Sequence, residues 1–159
     1  MPLATPLTDT FIAELLSEAK TMPPGFSVRT MTERNGHWQR GFDIECDSGN
    51  YFVMKLRLSS LNPMDFSAIL GYRLPGLNTI FRLCRYNGRH HHTNILERTH
   101  FYGFHIHTAT ERYQRPGFKE DHYAEPTNRY YNLESAIECL LNDCGFRSPL
   151  AESPLFRKT

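Results

Sequence analysis

The chain has 159 residues, with 18 Lys and Arg against 17 Asp and Glu and 40% hydrophobic content, a length that suits one domain able to bury roughly two-thirds of its unfolded surface without disulfides or metal. Its 22% charged and 13% aromatic residues exclude a disordered or collagen-like chain. No apolar run approaches the roughly 18 residues of a membrane span, and residues 1–10 lack the basic start and apolar stretch of a signal peptide, so a cytoplasmic protein with no membrane association is expected.

Residues 8–20 read as a helix capped by Thr8, with Phe11, Ile12, Leu15, Leu16 and Ala19 on one stripe, and Met22-Pro23-Pro24-Gly25 ends it. Phe42, Ile44 and Cys46 alternate with Asp43, Glu45 and Asp47, the period of a half-buried strand. Beyond the turn Asp47-Ser48-Gly49-Asn50, the residues Phe52, Met54, Leu56 and Leu58 alternate against Val53, Lys55 and Arg57, completing a β-hairpin with one buried face. Segments 66–72 and 79–86 are further strands separated by Leu74-Pro75-Gly76, and Asn87-Gly88 is the strongest short hairpin signal in the chain. Residues 99–111 read as a long strand, with His100, Tyr102, Phe104 and Ile106 on one face and Phe101, Gly103, His105, His107 and Glu111 on the other. Periodicity disappears over 114–131, which at about 18 residues exceeds a usual connection and predicts a functional loop or lid. Asn132 then caps a helix that carries Leu133, Ala136, Ile137, Leu140, Leu141 and Cys144 on one stripe and closes at Gly145.

Helix, strands in succession, then helix predict an α+β fold. The expected form is an antiparallel sheet of about five to six strands with an N-terminal and a C-terminal helix packed on one face, leaving the other free to carry a site. A single domain over 1–146 and a flexible tail over 147–159 are expected. The four cysteines, Cys46, Cys84, Cys139 and Cys144, form no C-x-x-C pair, so buried free thiols are expected instead of a zinc ribbon or thioredoxin-type site.

Charge becomes informative when read locally. Residues 79–115 hold six arginines (Arg82, Arg85, Arg89, Arg98, Arg112, Arg115), no lysine and only two acids, Glu97 and Glu111. The same window holds six of the eight histidines: His90, His91, His92, His100, His105 and His107. A near-neutral protein with one basic, histidine-rich centre suggests a local anionic partner, either RNA or another phosphate-bearing ligand. The bland alternative is that these arginines pair with acids from elsewhere in the fold.

On a strand, His105, His107 and Glu111 point to one side. Two imidazoles so placed can act as a base and acid pair, or can ligate a divalent transition metal with Glu111 as third ligand. His90 and His92 share a face when extended, and converge on His105 and His107 only if the two segments pair. Arg112, Tyr113, Arg115, Lys119, Tyr123, Tyr130 and Tyr131 mix cations with aromatics, a composition that stacks bases and grips phosphates and equally makes a protein-binding hot spot.

The spacing His105-x-His107-x3-Glu111 followed by Gly117 resembles the first metal motif of the cupins, over about 15 residues. That resemblance implies a metal on His105, His107 and Glu111 and a second motif with another histidine on a later strand. Only His122 remains downstream, in no such context, so a cupin barrel is not expected. His92-Thr93 and His107-Thr108 lack the spacing of the two-histidine phosphoesterases. The segments Leu61-Asn62-Pro63-Met64-Asp65-Phe66, Phe81-Arg82-Leu83, Tyr86-Asn87-Gly88, His105-Ile106-His107, Ala109-Thr110-Glu111-Arg112-Tyr113-Gln114 and Ala124-Glu125-Pro126-Thr127 resemble a family of short bacterial proteins with no assigned activity. That likeness covers most of the chain after the first helix and implies a bacterial or phage origin.

Three functions follow as expectations. The first is metal-independent, ribonuclease-like phosphodiester cleavage of the toxin type. Here His105 and His107 serve as acid and base, with Glu111 and Arg112 in the catalytic set, while Arg82, Arg85, Arg89, His90, His92, Arg115, Tyr113 and Tyr123 bind the anion or nucleic acid. The second is a non-enzymatic inhibitor or antitoxin that docks on a protein partner through the same Arg/Tyr/His surface. The third is an enzyme with a divalent transition metal on His105, His107 and Glu111.

Overall fold

A computed structural model describes residues 5–147 of the chain. Strict alternation of large apolar and polar side chains builds its sheet. In β3 (His37–Glu45) and β4 (Tyr51–Ser59) the register pairs Phe42 with Met54 and Ile44 with Phe52. Directly paired residues share a face, so one side of this hairpin is wholly apolar. β5 (Phe66–Arg73) continues that side, placing Ala68 opposite Leu56 and Leu70 opposite Met54. Met54, Phe66, Ala68 and Leu70 are fully buried, each large side chain contributing about 1.5–3 kcal/mol.

Next come β6 (Ile80–Asn94) and β7 (Thr99–Thr108), the longest strands, then the short β8 (Ala124–Pro126). With β2 (Thr32–Arg34) they complete a seven-stranded antiparallel sheet in the order β2-β3-β4-β5-β6-β7-β8. A separate two-stranded parallel sheet joins β1 (Lys20–Thr21) to β9 (Phe146–Arg147). The helices are α1 (Asp9–Ser17), the single turn α2 (Glu111–Gln114) and α3 (Leu133–Asp143). Thr8 caps α1 by accepting from the Phe11 N–H, and Asn132 with Ser135 forms a reciprocal capping box on α3. Ile12 and Leu15 of α1 and Ile137 and Leu140 of α3 join the hydrophobic core, and α3 packs against β5 and β6. Among the described residues no helix is long and apolar enough to cross a membrane.

The α+β class and antiparallel sheet are as the sequence predicts, with seven strands in place of five or six. The first helix stops at Ser17 instead of Lys20 because the Lys20 ammonium donates to the carbonyls of Leu15, Leu16, Glu18 and Cys144, which draws its backbone into β1. Asn87-Gly88 is not a hairpin turn: β6 runs straight through it, and the reversal comes at residues 95–98. The long strand ends at Thr108, because Thr110 caps α2 and carries Glu111 into it. The 114–131 segment is not a detached lid. It contributes β8, which pairs His105 with Pro126 and His107 with Ala124. Of the expected tail, Arg147 lies in β9; residues 148–159 lie outside the described residues. All four cysteines are free; Cys139 is only half buried, and the buried Cys84 and Cys144 sulfurs stand 3.7 Å apart.

Candidate metal centre

Strand parity decides which side chains meet on the face opposite the core. In β7, Phe104 and Ile106 pack against the core, so His105 and His107 project from the other side. In β6, Arg85 pairs with His107 and Asn87 with His105, which places them on that same side. Unbroken alternation would carry on through Arg89 and His91. Instead the register shifts, pairing Asn87 with His105 but His90 with Gly103, so that Gly88 and Arg89 together oppose Phe104. This β-bulge inverts the parity and turns His90 and His92 onto the histidine face.

Glycine is required at the bulge. A Cβ on Gly88 would lie 2.0 Å from the Met64 carbonyl oxygen and 2.9 Å from the Phe66 nitrogen. The same Met64 carbonyl accepts from the Arg89 N–H at 2.8 Å. The 64–66 backbone therefore closes on the bulge only where no side chain intervenes.

The outcome is a cluster of His92, His105 and His107, in which one ring nitrogen of each lies within 4.8 Å of the other two. Hydrogen bonds to the opposite nitrogens fix the tautomers. The Nδ1–H of His105 donates to the Gly103 carbonyl, and the Nδ1–H of His107 to the Asp121 carbonyl, each at 2.8 Å. A carbonyl only accepts, so Nε2 of both rings keeps its lone pair, and that of His105 accepts a long hydrogen bond from Asn87 Nδ2 at 3.5 Å. For His92 the partner is Asn94 Oδ1, 2.9 Å from Nε2. The Asn94 amide cannot be turned around, because its Nδ2 donates to the Ala124 carbonyl and its Oδ1 accepts the Ala124 N–H. His92 Nε2 is thus a donor, and Nδ1 carries the lone pair.

Each ring is held by a carbonyl acceptor on one nitrogen, the arrangement found behind metal-bound histidines. Imidazole nitrogens on zinc stand about 2.0–2.1 Å from the ion, or roughly 3.4 Å from one another in a tetrahedron, so the rings would close by about an ångström. Asn87 Oδ1, on the same face, is buried with no hydrogen-bond partner. It is free to accept from a fourth, exchangeable ligand.

Burial keeps these rings neutral. It pulls His105 down to about 4, assisted by His92, His90 and Arg85 and opposed by the Gly103 carbonyl. His107 is drawn down to about 2, by burial first and then by the Arg85 guanidinium beside it. His92 is lowered by burial, against its hydrogen bond to Asn94. Neutral imidazole is the metal-binding form.

The cluster forms one wall of a pocket of about 440 Å³, which is also lined by Arg57, Ser67, Asn87, His90 and Lys119. His90 donates from Nε2 to Asp65 at 2.9 Å. Asp65 also holds Arg57, at 3.2 Å. His122 lies tilted against His92, with ring centroids 5.0 Å apart, and donates to the Thr93 carbonyl.

Only part of the expected site is present here. His105, His107, His90, His92 and Arg85 converge. Glu111 does not, and so is not the third ligand: α2 carries it to Arg115, and its N–H is bound by Asp9. Arg112 pairs with Glu97, and Arg82 sits between Glu120 and Asp121. Arg89 lies over the Phe104 ring on the core side, 5.2 Å from its centroid. Tyr113 is fully buried, accepting the Leu96 N–H, and Tyr123 donates to Glu125. Much of the basic window is therefore internally paired.

Asn94, Asn87 and Asp65 escape the sequence reading as site residues, and His122 is set aside in it. Their part depends on the bulge and on β8 pairing, which no local pattern announces. Neither a family model nor a curated protein nor a solved structure matches this chain.

Proposed function

We propose that this protein is a metal-dependent hydrolase whose divalent transition-metal ion is held by His92, His105 and His107. The observation that supports this is the hydrogen bonding of the three rings. Each spends one nitrogen on a carbonyl oxygen and keeps a lone pair on the other, and the three rings form one cluster. Three neutral ligands leave the ion's full charge uncompensated and one coordination position open, the pattern of a catalytic site. An ion held there would lower the pKa of a bound water toward neutrality.

His90 is the matching proton acceptor. Asp65 accepts from its Nε2 at 2.9 Å, and the ring lines the pocket. The ion, when bound, would supply Lewis-acid activation of a water for attack on an ester, and His90 would be placed to take that water's proton and return it to the leaving oxygen.

The metal-free acid–base reading of His105 and His107 has less support. One of the pair would have to carry a proton at neutral pH, and burial together with Arg85 opposes that. The docking reading has less support too, since Tyr113, Arg112 and Arg115 are spent within the fold. Four free thiols suit a reducing, cytoplasmic setting.

The test is titration of metal-stripped full chain with Zn(II) against a chromophoric chelator. One equivalent should bind tightly in the parent. His92→Ala and His107→Ala should each weaken binding at least tenfold while the far-UV circular dichroism is unchanged. Equal binding by all three proteins would overturn the reading.

A further inference from the structure

The pocket beside the histidines is cationic, and its cations are unequally used. Arg57 is engaged by Asp65, 3.2 Å away. Arg85 stands with its Nε 3.3 Å from Asp121, and no nitrogen of its guanidinium makes a protein hydrogen bond among the described residues. Lys119 lines the same pocket and makes no ion pair among the described residues. No carboxylate contributes to the pocket wall; Asp65 and Asp121 stand behind it, each already facing a cation.

Register fixes where Arg85 sits. It is the cross-strand partner of His107, so its side chain rises from the same face within about 5 Å at the Cβ level. A metal ion on three neutral imidazoles adds two positive charges next to that guanidinium and the Lys119 ammonium.

We infer that this pocket seats a phosphate group, with one oxygen on the metal and the others on the free edge of Arg85 and on Lys119. This rests on the metal reading above and names the chemistry of its substrate. A carboxylate has two oxygens and would have to leave one of the three electropositive partners unmatched. A phosphate presents three or four oxygens in a tetrahedron, and the planar guanidinium edge matches two of them. A volume of about 440 Å³ leaves room for the group that carries the phosphate. Ile69, the cross-strand partner of Arg85, offers that group an apolar surface in the same lining.

The test uses the full chain loaded with Co(II), whose visible spectrum reports both occupancy and coordination number. Inorganic phosphate, adenosine 5′-monophosphate and a short RNA without a terminal phosphate are titrated in turn. Phosphate and the monophosphate should change the Co(II) spectrum saturably, and metal-free protein should bind them at least tenfold more weakly. Saturation by the RNA as well extends the ligand to phosphodiesters; a silent RNA restricts it to phosphomonoesters, and both results carry the inference.

Lys119→Ala should weaken phosphate at least fivefold with Co(II) stoichiometry unchanged. Arg85→Lys should do the same while keeping a second cation beside Arg82 against the buried Asp121. A Co(II) spectrum indifferent to phosphate, or equal phosphate affinity in both variants, overturns the inference and leaves the metal reading standing. Failure of Co(II) to bind overturns both.

Discussion

His92 and His107 meet edge to face with ring centroids 4.8 Å apart, although without the extra residue in β6 they would project from opposite faces of the sheet. The bulge at Gly88 is the cause, and it predicts the effect of Gly88→Ala. The new methyl must displace the Met64 carbonyl, 2.0 Å away, at a cost of about 1–3 kcal/mol for forced overpacking. Urea denaturation should show that loss, and Zn(II) affinity should fall at least tenfold because His92 moves with the bulge. Gly41→Ala, whose Cβ meets only the Met54 carbonyl at 4.0 Å, should leave metal affinity unchanged.

Asn94 orients His92 and fastens β8 through both polar groups of Ala124. Asn94→Ala should lower Zn(II) affinity by about 10–100-fold, the usual effect of removing a hydrogen-bond partner behind a ligand. It should also cost about 1–3 kcal/mol, because the buried Ala124 groups lose their partners. Asn94→Asp keeps the acceptors for His92 and for the Ala124 N–H, and should recover most of the metal affinity but not all of the stability.

Tyr130 stands behind the site, its hydroxyl donating to the carbonyls of Asn87 at 2.7 Å and His105 at 2.9 Å. This one group joins the two strands at the bulge. Tyr130→Phe keeps the ring packing against Phe66 and Tyr86 and removes only the hydroxyl. Thermal and urea unfolding should show a loss of about 1–3 kcal/mol, with faster amide exchange at His105 than in the parent.

Asp143 gives stability a defined pH dependence. Burial alone would raise its carboxyl, but the hydrogen bonds from Arg129 and Tyr86 outweigh burial and hold it below the ordinary range. Its native value therefore lies below the roughly 3.9 of the unfolded chain. The stabilisation is present above that unfolded value and is lost as pH falls through the native one. Arg129, bound to Asp143 through two contacts of 2.8 Å, supplies part of it. The stability gap between parent and Arg129→Ala should be widest near pH 6 and shrink toward pH 3, as read by urea midpoints.

The hairpin of β3 and β4 and the capped helix α3 were legible in the sequence because each rests on local rules: alternation about a turn, and a capping residue ahead of an apolar stripe. His105 and His107 were legible as a pair for the same reason, being two apart on one strand. Their third partner was not. Asn87-Gly88 carries the signature of a tight turn, yet the 64–66 backbone packed on Gly88 holds the chain extended, so tertiary contact overrides local preference. That override exchanges Glu111 for His92 as the third member. The arginines misled in the opposite direction: Glu97, Glu120 and Asp121, which pair with Arg112, Arg82 and Arg85, become neighbours only once the chain beyond β7 folds back.

X-ray absorption at the zinc edge of the one-equivalent Zn(II) complex tests the central claim most directly. Three-histidine ligation predicts a first shell of nitrogen and oxygen alone near 2.0 Å, with outer-shell scattering from three imidazoles that drops to two in His92→Ala. A sulfur shell near 2.3 Å would place the metal on the cysteines, and a spectrum unchanged in His92→Ala would place it elsewhere on the surface. Either result would contradict the account.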